Sequence, residues 1–246
     1  MWTWFHKLAS PPHCYGYATA LHPWFFWSAL LLILVGFTGG LYIAPSDYQM
    51  GDAFRILYVH AASAYMAMSI YVIMAISSAI GMIWRIKMAF AVAVASAPLG
   101  ASFTALALAS GAIWGQPMWG TWWVWDARLT STLVLLFLYF GYMALHAAFD
   151  DTAKADRAAG IIALVGVVNV PIIKFSVDWW NTLHQPATIS KLDNPSITVD
   201  MLWPLLVVII GFNLFYLAVL TNRLRSEILR RERNAKWLPE LVKDAV

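Results

Sequence analysis

The most regular feature of the chain is a series of six apolar segments separated by short polar stretches. Each holds about 20 residues with few charges, which as a helix crosses the roughly 30 Å of bilayer hydrocarbon. Because irregular backbone cannot face lipid, each segment is predicted to be a helix. The predicted spans cover residues 24–44, 56–84, 88–114, 131–149, 158–177 and 201–221.

The composition supports membrane insertion. Hydrophobic residues make up 61% of the 246 positions, only 12% are charged, and the mean hydropathy is +0.66. These values lie outside the range of soluble domains and predict an all-α integral membrane protein with one six-helix domain over residues 1–246. The single cysteine, Cys14, and the absence of C-x-x-C and C-x-x-C-H motifs exclude paired-cysteine thiol oxidoreductases and c-type cytochromes. No nucleic-acid-binding patch and no removable signal peptide are predicted.

The basic residues are unevenly divided between the two sides of the predicted bundle. Of 16 Lys and Arg, four lie on the side reached after the first, third and fifth segments, which leaves 16 − 4 = 12 on the other side. These four are Arg55, Arg128, Lys174 and Lys191. Basic residues mark the cytoplasmic side, so both termini are predicted to be cytoplasmic and the segment 114–130 periplasmic. The tail, 222–246, is predicted to be a cytoplasmic amphipathic helix whose charges favour retention there over docking to a soluble partner.

Between the third and fourth spans the sequence WGQPMWGTWWVWD places five tryptophans in residues 114–126. An indole offers a flat π surface and one N–H, which suits a planar apolar ligand at the membrane edge. An ordinary interfacial aromatic belt explains the same residues, and composition alone leaves both interpretations open. If the run is helical from its second tryptophan onward, Trp119, Trp122, Trp123 and Asp126 share one face.

Two of the six histidines lie on the same side as this tryptophan-rich segment. His60 is about four residues, or roughly 6 Å, into the second span, and His184 follows Trp180 by four residues in WWNTLH. Ionisable groups at a membrane boundary are functional candidates. A neutral imidazole is a good ligand for iron, and indoles could cover the faces of a porphyrin. The remaining histidines are predicted to be solvated, interfacial or helix-packing residues: His6, His13, His22 and His146.

Charged residues on the same side as the tryptophan-rich segment are also candidates for haem binding. Arg128 and Arg55 are candidates to bind the two propionates of haem, because guanidinium matches carboxylate geometry. Arg128 could instead pair with Asp126 or a lipid phosphate, and Asp126 could orient an indole, cap a helix or pair with Arg128.

No Walker A loop, H-E-x-x-H, G-x-S-x-G or EF-hand motif occurs. No self-contained active site is therefore recognised, and whether the protein is an enzyme stays open.

The run WGQPMWGTWWVWDARLTS resembles the WWD signature of the haem-handling proteins of cytochrome c biogenesis. With His60 before it, WWNTLHQ after it, six spans and a length near 250 residues, the chain is similar to the CcmC branch over nearly its whole length. The resemblance implies haem b at the outer face with His60 and His184 as axial iron ligands. The complete predicted haem-binding set is His60, His184, Trp114, Trp119, Trp122, Trp123, Trp125, Asp126, Arg128, Arg55 and Trp180.

The resemblance also implies a function and partners. CcmC-like proteins present haem at the bacterial inner membrane to the chaperone CcmE, whose histidine becomes covalently attached to a haem vinyl group. Further implied partners are CcmD and the ABC subunits CcmA and CcmB. One alternative is an exporter subunit that carries haem through its own bundle, for which the spans offer only scattered polar residues. The other is a structural subunit whose tryptophans anchor it in lipid.

Overall fold

A computed structural model describes residues 7, 9–185, 189 and 195–239. The predictions made for His6, Lys191 and the end of the tail at 240–246 lie outside these residues. Within the described part the regular elements are helices, apart from one isolated bridge between Asp47 and Gly51. Six helical segments of the described chain are long and apolar enough to cross a membrane. The predicted all-α, six-span fold class is therefore confirmed.

The described residues form seven main helices, because the fifth span is broken into two. They are α1 (Pro11–Thr38), α2 (Leu57–Trp84), α3 (Lys87–Trp119), α4 (Ala127–Ala147), α5 (Thr152–Gly166), α6 (Asn169–Trp179) and α7 (Val199–Arg231). A π-helical turn, Gly39–Ile43, continues α1, and a 3-10 helix, Asp52–Ile56, leads into α2. The connections after α1, α3 and α6 lie at one end of the bundle, called here the tryptophan end.

All six membrane-crossing segments of the described residues are longer than the hydropathy pattern predicted. The first begins at Pro11, because proline fits the first helical turn, where its missing N–H is not needed. The third continues to Trp119 and the sixth to Arg231. The first ten residues assigned to the tail, 222–231, therefore belong to the sixth membrane-crossing helix.

The break in the fifth span lies at Val167 and Val168, between α5 and α6. Pro171 accounts for it, since a proline ring conflicts with the carbonyl group four residues earlier, here that of Val167. The Asn169 side-chain amide donates a hydrogen bond of 2.8 Å to the Ser131 carbonyl oxygen of α4. This bond fixes the direction in which α6 continues, alongside α4 toward the tryptophan end.

The middle of the bundle is tightly packed. Ile70, Tyr71 and Met74 of α2 and Tyr139 of α4 are fully buried. The Tyr139 hydroxyl donates a hydrogen bond of 2.7 Å to the Ala67 carbonyl oxygen, which satisfies a polar group deep in the core. Large side chains thus fill the bundle below the tryptophan end.

A buried ionic network closes the opposite end. Arg231 donates to both oxygens of Asp156, at 2.7 and 2.8 Å, and to Glu227 at 2.5 Å. The Nε2 atom of His146 lies 3.1 Å from the Asp156 carboxylate, which gives His146 a helix-packing contact, as predicted. These contacts join α4, α5 and α7.

Candidate functional site

A cavity of about 770 Å³ lies at the tryptophan end, among residues of α2, α3, α4, α6 and α7. Its volume is within the roughly 300–1,000 Å³ typical of small-molecule sites. Along α2 its wall runs from Leu57 to Met68, a distance of about 16 Å along the helix axis. Most of the lining is apolar, and a few polar groups converge on it, which is the usual composition of a ligand site.

The structure brings His60 and His184 together in this cavity. Their ring centroids are 6.2 Å apart and their planes differ by 35°. If one metal ion lay between two imidazoles, bonds of about 2.0 Å plus about 1.1 Å from each nitrogen to its ring centre would separate the centroids by about 6.2 Å. The observed spacing therefore leaves room for one iron atom between the rings.

Hydrogen bonds determine which ring nitrogens are available. The Nδ1 atom of His60 lies 3.0 Å from the Ala107 carbonyl oxygen and 3.3 Å from the Ser110 hydroxyl. The Nδ1 atom of His184 lies 3.0 Å from the Gln185 carbonyl oxygen. A carbonyl oxygen only accepts, so each Nδ1 carries the proton and each Nε2 keeps its lone pair for a ligand.

The charge state of His184, which lies in the loop after α6, suits metal binding. Burial lowers the pKa of His184 from 6.5 to about 4, and the positive charge of Arg128 acts in the same direction. The imidazole is therefore neutral at pH 7. Among the described residues no group of three or more His, Cys, Asp or Glu could hold a metal ion. The two histidines therefore fit a metal ion whose other ligands do not come from the protein. The nitrogen atoms of a porphyrin are ligands of this kind.

Gly111 of α3 makes the space that His60 occupies. A Cβ atom at this position would lie 2.8 Å from Cε1 and 3.2 Å from Nδ1 of the His60 ring. Glycine within a helix costs up to about 1 kcal/mol relative to alanine, so the close approach of the imidazole explains its presence. Gly111 was not among the residues predicted from the sequence.

Two of the predicted tryptophans back the histidines. The Trp114 ring lies 5.7 Å from His60 and the Trp119 ring 6.1 Å from His184, measured between centroids, and both indoles line the cavity. The buried Nε1 of Trp114 has no hydrogen-bond partner among the described residues. Buried N–H groups in proteins are normally hydrogen-bonded, and a ligand with polar substituents could supply the acceptor for this one.

The other predicted tryptophans lie outside the cavity wall. Trp122, Trp125 and Trp180 are 61%, 76% and 50% exposed. Trp123 packs edge-on against Trp125, with ring centroids 5.4 Å apart. The predicted set therefore divides into an inner pair, Trp114 and Trp119, and an outer group at the surface.

The run is not helical from Trp119 onward, so Trp119, Trp122, Trp123 and Asp126 do not share one helical face. Helix α3 ends at Trp119 because Gly120 adopts the left-handed conformation, with φ of 75°, and α4 begins only at Ala127. Left-handed glycine is the common helix terminator, since it lacks the Cβ atom that makes this conformation costly. The residues between the two helices form an irregular loop.

Asp126 connects this loop to the segment that carries His184. Its Oδ1 atom accepts a hydrogen bond of 2.7 Å from the Leu129 N–H and so caps α4, one of the three roles that the sequence left open. Its Oδ2 atom accepts a hydrogen bond from the Thr182 hydroxyl. The same hydroxyl oxygen accepts from the His184 N–H at 3.1 Å. Sequence reasoning missed Thr182, although it lies within WWNTLH.

The two predicted arginines have different environments. Arg128 lines the cavity, and its guanidinium makes no hydrogen bond or ion pair with any other residue that the structure describes. Arg55 does not line the cavity, because its side chain binds the carbonyl oxygens of Gly40 and Ala44 and the Asp52 carboxylate. A second basic residue of the cavity wall, Lys174 of α6, was not among the predicted site residues.

Comparison with known proteins adds to this geometry. The CcmC family, described as Heme exporter protein C, matches residues 4–239. The Haemophilus influenzae protein named Heme exporter protein C is 49% identical over 241 residues, 98% of each chain. The Escherichia coli K12 protein of the same name is 48% identical over 243 residues, again 98% of each. A Marchantia polymorpha protein named as a putative cytochrome c biosynthesis ccmC-like mitochondrial protein is 41% identical over 208 residues, 80% of this chain and 88% of its own. The chain therefore belongs to the CcmC, or heme exporter protein C, family.

Proposed function

We propose that this protein binds haem b at the periplasmic face of the bacterial inner membrane and presents it to the chaperone CcmE for covalent attachment during cytochrome c maturation. The observation that carries the proposal is the pair His60 and His184, whose rings are 6.2 Å apart. Both have Nδ1 bound to a carbonyl oxygen and Nε2 left for iron. The names of the relatives, which refer to haem export and cytochrome c biosynthesis, support haem as the cargo.

The two histidines are held in different ways, which suits capture followed by release. His60 lies on a packed helix, and its hydrogen bond to the Ala107 carbonyl oxygen fixes the ring. His184 lies on a loop that is tied to the tryptophan-rich segment through Thr182 and Asp126. We therefore assign His60 as the fixed ligand and His184 as the ligand that exchanges when the cargo leaves. The iron and vinyl chemistry belongs to haem, and the protein supplies orientation and exclusion of water.

The exposed indoles provide a surface for the chaperone. Trp122, Trp125 and Trp180 are at least half exposed and lie in the loops at the tryptophan end. Exposed aromatic groups next to a ligand cavity are typical of protein-binding surfaces. CcmE is proposed to dock here, with CcmD, CcmA and CcmB as further partners of the membrane bundle.

Packing below the cavity favours presentation over passage of haem through this chain. Tyr71, Tyr139 and Tyr142 are at most 1% exposed and fill the middle of the bundle. The excess of basic residues at the opposite end supports the proposed orientation, with both termini cytoplasmic and the cavity periplasmic. A reporter protein fused after Val246 should be active only as a cytoplasmic fusion; periplasmic activity would contradict this orientation.

The proposal is tested by the absorption spectrum of the detergent-purified protein supplied with haem. The wild type should show a Soret band and the spectrum of low-spin, bis-histidine iron. His60→Ala and His184→Ala should each lose that spectrum. His13→Ala, which removes an exposed imidazole hydrogen-bonded to Ser10, is the matched control and should keep it. A wild type that binds no haem, or single-site variants with the wild-type spectrum, would exclude the bis-histidine site.

A further inference from the structure

A groove between α3 and α7 lies apart from the histidine cavity and has a volume of about 340 Å³. It extends over 106 − 98 = 8 residues of α3, from Pro98 to Leu106, and over 223 − 215 = 8 residues of α7, from Phe215 to Arg223. Eight residues of helix correspond to about 12 Å. Because α3 begins and α7 ends at the end of the bundle opposite the tryptophans, Arg223 lies at the end of the groove that is predicted to be cytoplasmic.

The wall of the groove is apolar and open to the bilayer. Leu106 and Phe215 are 41% and 40% exposed within membrane-crossing segments, so these side chains face lipid. The Ser102 hydroxyl donates a hydrogen bond of 2.9 Å to the Pro98 carbonyl oxygen of its own helix, which satisfies this polar group of the wall. The remaining lining residues are Leu99, Phe103 and Val219. The groove therefore offers an apolar ligand about 12 Å of surface at the edge of the bundle.

An arginine lies at the cytoplasmic end of the groove. The Nε atom of Arg223 donates a hydrogen bond of 3.0 Å to the Ala95 carbonyl oxygen, which directs the side chain toward α3. Its two terminal nitrogens make no hydrogen bond or ion pair within the part of the chain that the structure describes. Arg223 is the second residue after the apolar segment 201–221, so its guanidinium lies near the level of the lipid headgroups.

The charges around Arg223 favour an anion. On α7 the carboxylate of Glu227, one turn further on, accepts hydrogen bonds from Arg230 and Arg231 and is thereby neutralised. On α3, all of which the structure describes, the first turn begins with Lys87 and contains no acidic residue. A phosphate would therefore meet an unpaired guanidinium here, whereas the ammonium of a zwitterionic headgroup would meet no unpaired carboxylate on these described parts of α3 and α7.

We propose that this groove binds one acyl chain of an anionic phospholipid and that Arg223 binds the phosphate of the same lipid. A guanidinium matches phosphate geometry through two parallel N–H bonds, and the terminal nitrogens of Arg223 are available for them. The volume of 340 Å³ holds about 11 groups of the size of a water molecule, at about 30 Å³ each, which is the scale of one acyl chain. A helix about 10 Å across does not enter a groove of this volume. The proposal is independent of haem binding, because the groove and the histidine cavity share no lining residue.

The test measures lipid binding to the full-length, detergent-purified protein by native mass spectrometry. Phosphatidylglycerol and phosphatidylcholine with the same acyl chains both contain a phosphate and differ in net charge. The wild type should bind phosphatidylglycerol more tightly. Arg223→Met should weaken phosphatidylglycerol binding about fivefold, the contribution of one basic residue near an anionic lipid surface, and should remove most of the preference. Arg223→Lys should retain the preference, and Arg157→Met, which removes an exposed charge outside the groove, should bind as the wild type does.

A second pair of variants tests the position of the acyl chain. Ser102→Phe adds a ring to the wall of the groove and leaves Arg223 in place, so it should weaken the binding of both lipids. Ala105→Phe adds the same ring at an exposed position of α3 outside the groove and should bind both lipids as the wild type does. Glycerophosphoglycerol, the headgroup without acyl chains, should not displace phosphatidylglycerol at equal concentration. Displacement would indicate a site for free anions and would overturn the proposal.

Other outcomes would also overturn it. Equal affinity of the wild type for the two lipids, or wild-type affinity for phosphatidylglycerol in Arg223→Met, would show that Arg223 does not recognise the headgroup. Wild-type lipid binding in Ser102→Phe would show that the groove does not hold the chain. Retained binding of phosphatidylcholine shows that Arg223→Met is folded.

Discussion

Replacing Gly111 with alanine should weaken haem binding through its effect on His60. The new methyl group would lie 2.8 Å from Cε1 of the imidazole, whereas ordinary contacts begin at 3.4 Å. The ring must therefore move by at least 3.4 − 2.8 = 0.6 Å, away from α3. Its Nδ1 bond to the Ala107 carbonyl oxygen, at 3.0 Å, comes from the same helix and would be stretched by the same movement.

The size of the effect follows from the role of that hydrogen bond. Groups that orient a metal-ligating histidine typically contribute about 10–100-fold to metal affinity. We expect a loss in this range for Gly111→Ala, because the ring is both displaced and less firmly oriented. The helix itself should gain, since alanine is favoured over glycine by up to about 1 kcal/mol within a helix.

The assay is a haem titration followed by absorbance, together with the spectrum at saturation. Gly141→Ala is the matched control, because Gly141 lies in α4 and a Cβ atom there would meet nothing within 4 Å. It carries the same gain in helix propensity without the clash and should bind haem as the wild type does.

Two outcomes would contradict this reasoning. Wild-type affinity and spectrum in Gly111→Ala would show that the spacing between α3 and His60 does not set haem affinity. An equal loss in Gly141→Ala would show that the effect is a general response of the bundle to the added methyl group.

Three further results are expected at the same site. Thr182→Val removes the hydroxyl that binds Asp126 and should weaken haem binding severalfold, while the spectrum at saturation stays low-spin. Wild-type affinity in this variant would show that the contact between Thr182 and Asp126 does not position His184. Because burial lowers the pKa of His184 to about 4, protons compete for this ligand only near that pH. Haem affinity should therefore stay constant from pH 7 to 5, and a decline beginning near 6.5 would contradict this. Trp119→Ala should alter haem affinity and the Soret band, whereas Trp122→Ala should alter neither and should reduce haem transfer to CcmE; the reverse pattern would refute the division into inner and outer indoles.

The sequence by itself was sufficient to predict the membrane-spanning architecture. A bilayer permits only backbone that satisfies its own hydrogen bonds, so six long apolar segments had to become helices. Beyond their hydropathy, individual side chains had little influence on this result, and the number and order of the spans were predicted correctly. The ends of the spans were less predictable, because Pro11, Pro171 and Gly120 act through local backbone geometry that hydropathy does not measure.

The candidate ligands were also visible in the sequence. His60 and His184 were selected because an imidazole at a membrane boundary is uncommon and because both were predicted on the side of the tryptophan-rich segment. Their distance could not be derived, since 184 − 60 = 124 residues separate them in the chain. The ring spacing of 6.2 Å depends on how α2, α3 and the loop after α6 pack together.

Tertiary structure decided which of the remaining candidates belong to the cavity. Arg55 and Lys174 are both basic residues of the same end, and only the packing shows that carbonyl oxygens occupy the first while the second lines the cavity. The tryptophans were likewise equivalent in sequence, yet Trp114 and Trp119 contact the histidines and Trp122 faces outward. Residue type and spacing determine which groups can take part in a site, whereas contacts between distant segments determine which of them do.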